Sequence, residues 1–208
     1  MSDIIKDMHE YLESSGSVYK ADVKGTDIWV FPGVFSPVSP YSCDAFSLAS
    51  ENDALPGEMV LDMGAGTGVH SVLSAKKGAS VVAVDCCPKA VANCRYNVRY
   101  HGLEHLVETR QGDLFENVDG KFDLIIANLP FTDTGLVDSR LEDPGYVLHR
   151  RFFSEVRDYM GPGARLHMAF ADIGDVDTFE YLAEERLEIE KRIERIKSGV
   201  RWYVYKLR

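Results

Sequence analysis

Apolar residues recur along this chain in two rhythms. Ile4, Ile5, Met8, Tyr11 and Leu12 share a helical spacing, which predicts a short N-terminal helix. Residues 18–31 read instead as two β-rich runs around Lys24-Gly25-Thr26, which predicts a hairpin. Pro32, Gly33, Pro37 and Pro40 then forbid regular structure. Because Phe31, Val34, Phe35 and Tyr41 are too apolar to leave in water, this stretch is expected to be an ordered loop.

From residue 45 the rhythm alternates between helix and strand. A helix over residues 45–52 precedes the run Met59–Met63, which ends abruptly in Gly64-Ala65-Gly66-Thr67-Gly68. A helix over 67–77, a strand over 80–85 and a helix opened by Pro88 and running to 101 follow. Strands are expected at 106–110 and 122–127, a helix over 146–160 stopped by Gly161-Pro162-Gly163, and a further strand over 165–171. Residues 187–197 fit a helix through Ile189, Ile193 and Ile196, or a strand through Leu187, Ile189 and Ile193. The Ser198-Gly199 pair ahead of VRWYVYKL favours the strand and a terminal hairpin, whose second strand must run antiparallel. Strands alternating with helices at this spacing imply an α/β fold, a doubly wound parallel sheet covered on both faces. The organisation expected is an N-terminal helix, hairpin and lid loop over residues 1–44 and a Rossmann-like domain over 45–208.

Composition narrows the class. A chain of 208 residues with 45% hydrophobic and 27% charged residues is suited to one soluble globular domain and is neither collagenous nor disordered. The formal net charge of −10 weakens a nucleic-acid substrate without excluding one. From Glu180 onward eight Lys or Arg stand against six Glu, so the first 179 residues carry −12 and the tail +2. Cys43, Cys86, Cys87 and Cys94 lack zinc-site spacing and read as free thiols. The histidines are scattered, and no metal is expected. Charges interrupt every apolar run near the N-terminus, so neither a signal peptide nor a membrane span is expected, and the reading is cytoplasmic.

The chemistry gathers at strand ends, where open α/β sheets bind their ligands. Asp62, Asp85, Asp113 and Asn128 fall there. Gly64, Gly66 and Gly68 let backbone approach a ligand, and the helix after them is expected to offer unpaired N–H groups. The dinucleotide fingerprint fails because Val69 stands where Gly or Ala is required. Asp62, two residues before the first glycine, suits a cationic ligand, so the pattern points to a nucleoside-type cofactor.

Four segments in order, VLDMGAGTG (60–68), VVAVD (81–85), QGDLF (111–115) and FDLIIANLPF (122–131), resemble the class I S-adenosylmethionine-dependent methyltransferases. The resemblance implies a mostly parallel seven-stranded sheet with an antiparallel hairpin at its seventh strand. It implies that Asp62, Gly64, Ala65, Gly66 and Gly68 surround the methionine portion of the cofactor, S-adenosyl-L-methionine. Asp85 would accept from the ribose hydroxyls and Cys86 touch the adenine face. Asp113 would lie near the adenine amino group beside Leu114, with Asn128 bordering cofactor and acceptor alike.

Asn128-Leu129-Pro130-Phe131 resembles the N-P-P-[YF] motif of small-domain methyltransferases that modify planar amino or amide nitrogens. Such a nitrogen has its lone pair delocalised, so a site must hold both hydrogens in acceptors. The Asn128 side-chain oxygen and the Leu129 carbonyl suit that task, and Phe131 offers a stacking surface. Leu129 departs from the motif's first proline, losing the fixed φ and adding an N–H. The lead-in resembles that of release-factor glutamine and ribosomal RNA guanine methyltransferases, with Phe35, Ser36 and Pro37 on the cofactor side and Asp44 capping a helix. The acceptor expected is a protein side-chain amide such as glutamine, with a nucleobase or a small molecule as alternatives. Residues 132–145 are expected to choose it, with Asp133 either assisting the departing proton or serving as a solvated turn acid. A non-catalytic, methyltransferase-like subunit of a larger assembly is the competing class.

Overall fold

The computed structural model describes residues 16–38, 43–133 and 141–208. The helix expected over residues 4–12 lies outside these. Strands β1 (Tyr19–Val23) and β2 (Thr26–Val30) form the expected hairpin. Then follow α1 (Cys43–Glu51), β3 (Met59–Met63), α2 (Val69–Lys76), β4 (Ser80–Asp85), α3 (Pro88–Tyr100), β5 (Val107–Gln111) and β6 (Phe122–Ala127). The second half holds α4 (Val147–Glu155), β7 (Met160–Ala171), α5 (Val176–Glu184), β8 (Ile189–Lys197) and β9 (Val200–Leu207).

The main sheet has seven strands in the order β5-β4-β3-β6-β7-β9-β8. Strands β3 to β7 pair in parallel, and β9 runs antiparallel to both β7 and β8. The chain leaves β3 toward β4 and β5, then returns to its other side with β6 and β7, so the switch in strand order falls between β3 and β6.

Side chains alternate between two cores, as the two-residue period of a strand demands. Val60, Val81, Ala83, Leu124 and Ile126 pack on one face with α2 and α3, joined by Val23 and Ile28 of the hairpin and Leu48 of α1. Leu61, Met63, Val82, Val84 and Ile125 pack on the other with Phe152, Phe153, Phe179 and Trp202. The boundary expected at 44/45 falls inside α1.

Two elements differ from expectation. The helix expected over 146–160 ends at Glu155, continues as a 3-10 stretch over Val156–Tyr159, and gives way to β7 at Met160. Gly161-Pro162-Gly163 therefore lies within the strand as an irregularity, because Met160 pairs with Phe122 while Arg165 pairs with Leu124. Helix α5 had no counterpart in the pattern reading. Its start is nonetheless signalled, since the Asp175 side chain caps it by accepting from the Thr178 amide.

The hairpin is held over the sheet by two buried asparagines of α3. Asn97 Oδ1 accepts from Trp29 N at 2.8 Å and Asn93 Oδ1 from Phe31 N at 2.8 Å. Both side-chain amides donate back to the Trp29 carbonyl, and Asn97 also donates to Thr67 O at 2.9 Å. The pair thus stands in for a neighbouring strand and ties the lead-in after Phe31 to the glycine turn.

Candidate active site

A cavity of about 480 Å³ opens at the carboxyl ends of β3 to β6, within the roughly 300–1,000 Å³ typical of ligand sites. Its wall includes Gly64, Ala65, Gly66, Asp85, Cys86, Asp113, Leu114, Asn128, Leu129, Pro130 and Phe131, so the structure brings eleven of the expected site residues together. Phe35 and Pro37 of the lead-in also face it, while Ser36 is buried outside the lining.

Asp62 and Gly68 do not join them. Asp62 shares the parity of Val60, which turns its side chain under α2, where Oδ2 accepts from the Ser71 amide at 2.9 Å and from the Ser71 hydroxyl. Burial pushes its carboxyl up to about 6 against those two bonds. Gly68 has φ +77°, and a Cβ there would stand 2.6 Å from Cys94 Sγ, so its glycine is required by the approach of α3.

The glycine turn is also less open to ligands than expected. The Gly64 and Ala65 amides donate to Val84 O, the Gly66 amide to Asp85 Oδ2 and the Gly68 amide to Ala65 O. The Ser71 amide, in the first turn of α2, is likewise committed to Asp62.

Asp85 is fixed by the Gly66 amide on one oxygen and the Cys87 amide on the other, both at 2.9 Å. Burial raises its pKa, and the two amides oppose the shift. Burial first, and then the Asp85 charge, also raise the Cys86 thiol, which keeps it protonated. Asp113 is partly exposed and pairs with Arg151 of α4 at 2.9 Å. Leu114 holds a left-handed backbone at φ +51° as it enters the wall.

The acceptor side centres on Asn128. A Cβ on Gly64, itself at φ +72°, would come within 3.2 Å of the Asn128 carbonyl, so the ends of β3 and β6 touch here. The Asn128 side chain donates to the carboxylate of Asp44, and its Oδ1 is buried with no partner. Asp44 lies in the first turn of α1, where the amides of Asp44 and Ala45 also reach its carboxylate. It therefore stands inside the first turn and not at the cap position expected for it, and it holds Asn128 besides. Burial pushes its pKa up to about 6, against those bonds, and its Oδ1 has no partner either.

Phe131 is buried, its ring tilted against Phe170 at 5.0 Å. A Cβ on Gly174 would meet the Phe131 carbonyl at 2.6 Å, so the turn after β7 supports this loop from below. The Thr132 amide donates to Leu141 O and the Asp143 amide to Thr132 O, which ties together the two ends of the segment expected to choose the acceptor. Residues 134–140 of that segment lie outside the described residues. Asp133 accepts from the Gly145 amide at 2.9 Å and so behaves as a turn acid.

Thr132 and Glu142 of the stretch expected to choose the acceptor lie in the wall, but their pairing, with Thr132 Oγ1 3.0 Å from Glu142 Oε1, carried no local signal, because they stand 10 positions apart in the chain. One polar group of the wall was missed. His70 was visible only as the second residue after the glycine turn. Its ring is 3% exposed, and both nitrogens lack a partner. Among the described residues the lining carries Asp44, Asp85, Asp113 and Glu142 but neither Lys nor Arg.

Orphaned acceptors, a glycine cradle that a side chain would fill and an acid-rich wall fit a ligand with a sulfonium cation and ribose hydroxyls. The comparisons agree. Residues 25–172 match the family model of the methyltransferase small domain. A protein of Methanocaldococcus jannaschii named "Putative protein N5-glutamine methyltransferase" is 29% identical over 180 residues, 81% of this chain and 88% of that one. The ribosomal protein L11 methyltransferase of an Exiguobacterium species is 44% identical over 82 residues, 39% of this chain and only 26% of that one. A Thermus thermophilus 16S rRNA N2 methyltransferase, solved with AdoMet and guanosine, superposes with a TM-score of 0.68 at 21% identity over 92% of this chain and 50% of its own. The chain belongs to the methyltransferase small domain family and is an S-adenosylmethionine-dependent methyltransferase of Rossmann-like fold.

Proposed function

We propose that the protein methylates a planar nitrogen, the side-chain amide of a protein substrate such as glutamine. The observation that carries this reading is Asn128 Oδ1, a buried acceptor without a partner in a side chain whose NH₂ donates to Asp44. That commitment fixes which end of the Asn128 amide faces the acceptor, so Oδ1 can take one N–H of a substrate NH₂ while the Leu129 carbonyl takes the other. An acceptor left unpaired in a buried wall costs roughly 1–3 kcal/mol, which a substrate amide would recover.

S-adenosylmethionine supplies an electrophilic methyl group on a sulfonium centre. Asp85 is poised to hold the ribose hydroxyls, Asp113 and Leu114 the adenine, and Gly64, Ala65 and Gly66 the backbone approach. Leu129, Pro130 and Phe131 contribute an apolar surface that excludes water around the reacting nitrogen. The absence of Lys and Arg among the described lining residues favours a neutral side chain over a phosphorylated acceptor. The similarity to a protein named for glutamine N5 methylation supports the same choice.

The test is methyl-labelled donor with a lysate fractionated into protein, RNA, DNA and metabolites. Label is expected in protein, on amide nitrogen, and label confined to RNA or to metabolites overturns the reading. Asn128→Ala is expected to lower kcat by at least about 10²-fold with S-adenosylhomocysteine affinity nearly unchanged.

A further inference from the structure

The wall of this cavity holds a histidine to which neither the family pattern nor the acceptor chemistry gives a task. His70 sits in the first turn of α2, faces the same cavity as Gly64–Thr67, and keeps both ring nitrogens buried and unpartnered. Burial pushes its pKa down to about 4, so at neutral pH the ring is uncharged, with one N–H donor and one acceptor nitrogen. Leaving both unpaired in a core is costly, and a leucine of similar bulk would avoid that cost.

The ligand's own charges indicate what the ring is for. S-adenosylmethionine carries one anion, the α-carboxylate of its amino-acid end. Every ionised group in the described lining has the same sign as that carboxylate: Asp44, Asp85, Asp113 and Glu142. The usual remedy, a bare helix N-terminus, is narrowed here, because Asp62 already occupies the Ser71 amide and the Gly64, Ala65, Gly66 and Gly68 amides are spent within the turn. The Asn128 side-chain NH₂ donates to Asp44, and the Thr132 hydroxyl donates to Leu141 O at 2.6 Å. Among the buried side chains of the described lining, the His70 ring offers an N–H donor with neither nitrogen engaged by the protein.

We infer that His70 binds the α-carboxylate of the cofactor's amino-acid end, donating a hydrogen bond from its neutral imidazole. This rests on the cofactor and on no choice of acceptor, so it stands or falls separately from amide methylation. Asp62, which the family resemblance sets around the methionine portion, then acts at one remove by occupying the start of α2 and leaving the carboxylate to His70.

The experiment compares two ligands by calorimetry on the full chain. S-adenosylhomocysteine carries the amino-acid end, and 5′-methylthioadenosine lacks it while keeping the adenosine. His70→Leu is expected to weaken S-adenosylhomocysteine at least about tenfold, the effect of one hydrogen bond to a charged group, and to leave methylthioadenosine within about twofold. His70→Gln, which retains an N–H donor, is expected to recover part of the loss. Equal weakening of both ligands, or unchanged S-adenosylhomocysteine binding, overturns the assignment. Should the variants fold poorly, ¹⁵N spectra of the wild-type protein decide it: one imidazole shifts with S-adenosylhomocysteine and not with methylthioadenosine, and the same response to both ligands, or to neither, refutes it.

Discussion

The two ends of the sheet treat buried polar groups in opposite ways. At the amino ends of the parallel strands, Arg165 donates to Asp53 Oδ1 at 2.9 Å, to both oxygens of Glu58 at 2.8 and 2.9 Å, and to the Asp53 carbonyl at 3.0 Å. Lys206 adds a bond to Asp53, and Asp123 accepts from the Met59 amide. His167 is the exception at this end, 3.6 Å from Asp53 and buried with neither ring nitrogen hydrogen-bonded. At the carboxyl ends, Asn128 Oδ1, Asp44 Oδ1 and both nitrogens of His70 have no partner, although each is buried. One end is closed by its own charges, and the other leaves its polarity for a ligand. With His167 set aside, unmet hydrogen-bonding capacity, more than the number of polar groups, separates the binding end from the structural end.

Arg165→Met tests that contrast most severely. The Arg165 bond holds Glu58 below the usual carboxylate range; Asp53 is pulled up by burial, yet His167, Arg165 and Lys206 together bring it down. Carboxylates with depressed pKa values contribute stability above their unfolded pKa and lose it as pH falls through the folded value. The variant is expected to lose about 3 kcal/mol at neutral pH, discounted for the partial exposure of Asp53, and to show a shallower acid limb in denaturant titrations. S-adenosylhomocysteine affinity is expected to stay unchanged. Weaker cofactor binding with stability intact would break the division between the two ends.

Asp44→Asn probes the open end with the opposite sign. A carboxyl raised to about 6 disfavours folding when charged, a penalty that is absent below the unfolded pKa, grows as pH rises toward 6 and is constant above it. The asparagine introduced there would still accept from Asn128, so only the charge is removed. The variant is expected to exceed wild type in stability by about 2 kcal/mol at pH 7.5 and to match it near pH 4. A gap that did not change with pH would mean that Asp44 is not held protonated by burial in that window.

Most of this architecture was legible because each signal was local. The runs Met59–Met63, Ser80–Asp85 and Phe122–Ala127 are strands with the bounds their apolar stretches suggested, and the Ser198-Gly199 turn correctly selected a strand over a helix. The failures have physical causes. Tyr146–Met160 looked like one helix because a 3-10 stretch keeps a similar apolar spacing, and β7 begins earlier by passing through Gly161-Pro162-Gly163. Asp62 was assigned by its place in a motif, whereas its parity with Val60 already turns it beneath α2. The link between Asp44 and Asn128, the contact of Gly68 with Cys94 and the orphaned ring of His70 depend on which helices meet, and no local pattern encodes that.

The smallest effect separates structure from binding inside a single loop. Gly66 and Gly68 both hold positive φ, +53° and +77°, so alanine at either meets a similar backbone penalty. They differ in what a methyl group would meet. At Gly66 the nearest atom is the Gly64 carbonyl oxygen at 3.9 Å, and the position faces the cavity. At Gly68 the methyl would stand 2.6 Å from Cys94 Sγ and 3.1 Å from Cys94 Cα, so α3 must retreat or the turn must distort. Gly68→Ala is therefore expected to be less stable than Gly66→Ala by about 1 kcal/mol, while Gly66→Ala shows the greater loss of S-adenosylhomocysteine affinity. Adding Cys94→Ala should restore part of the stability of Gly68→Ala and do nothing for Gly66→Ala, since only the first clash involves the sulfur. If both variants lost affinity and stability in the same proportion, the glycine turn would act as one unit, and its second and third glycines could not be divided between ligand and helix packing.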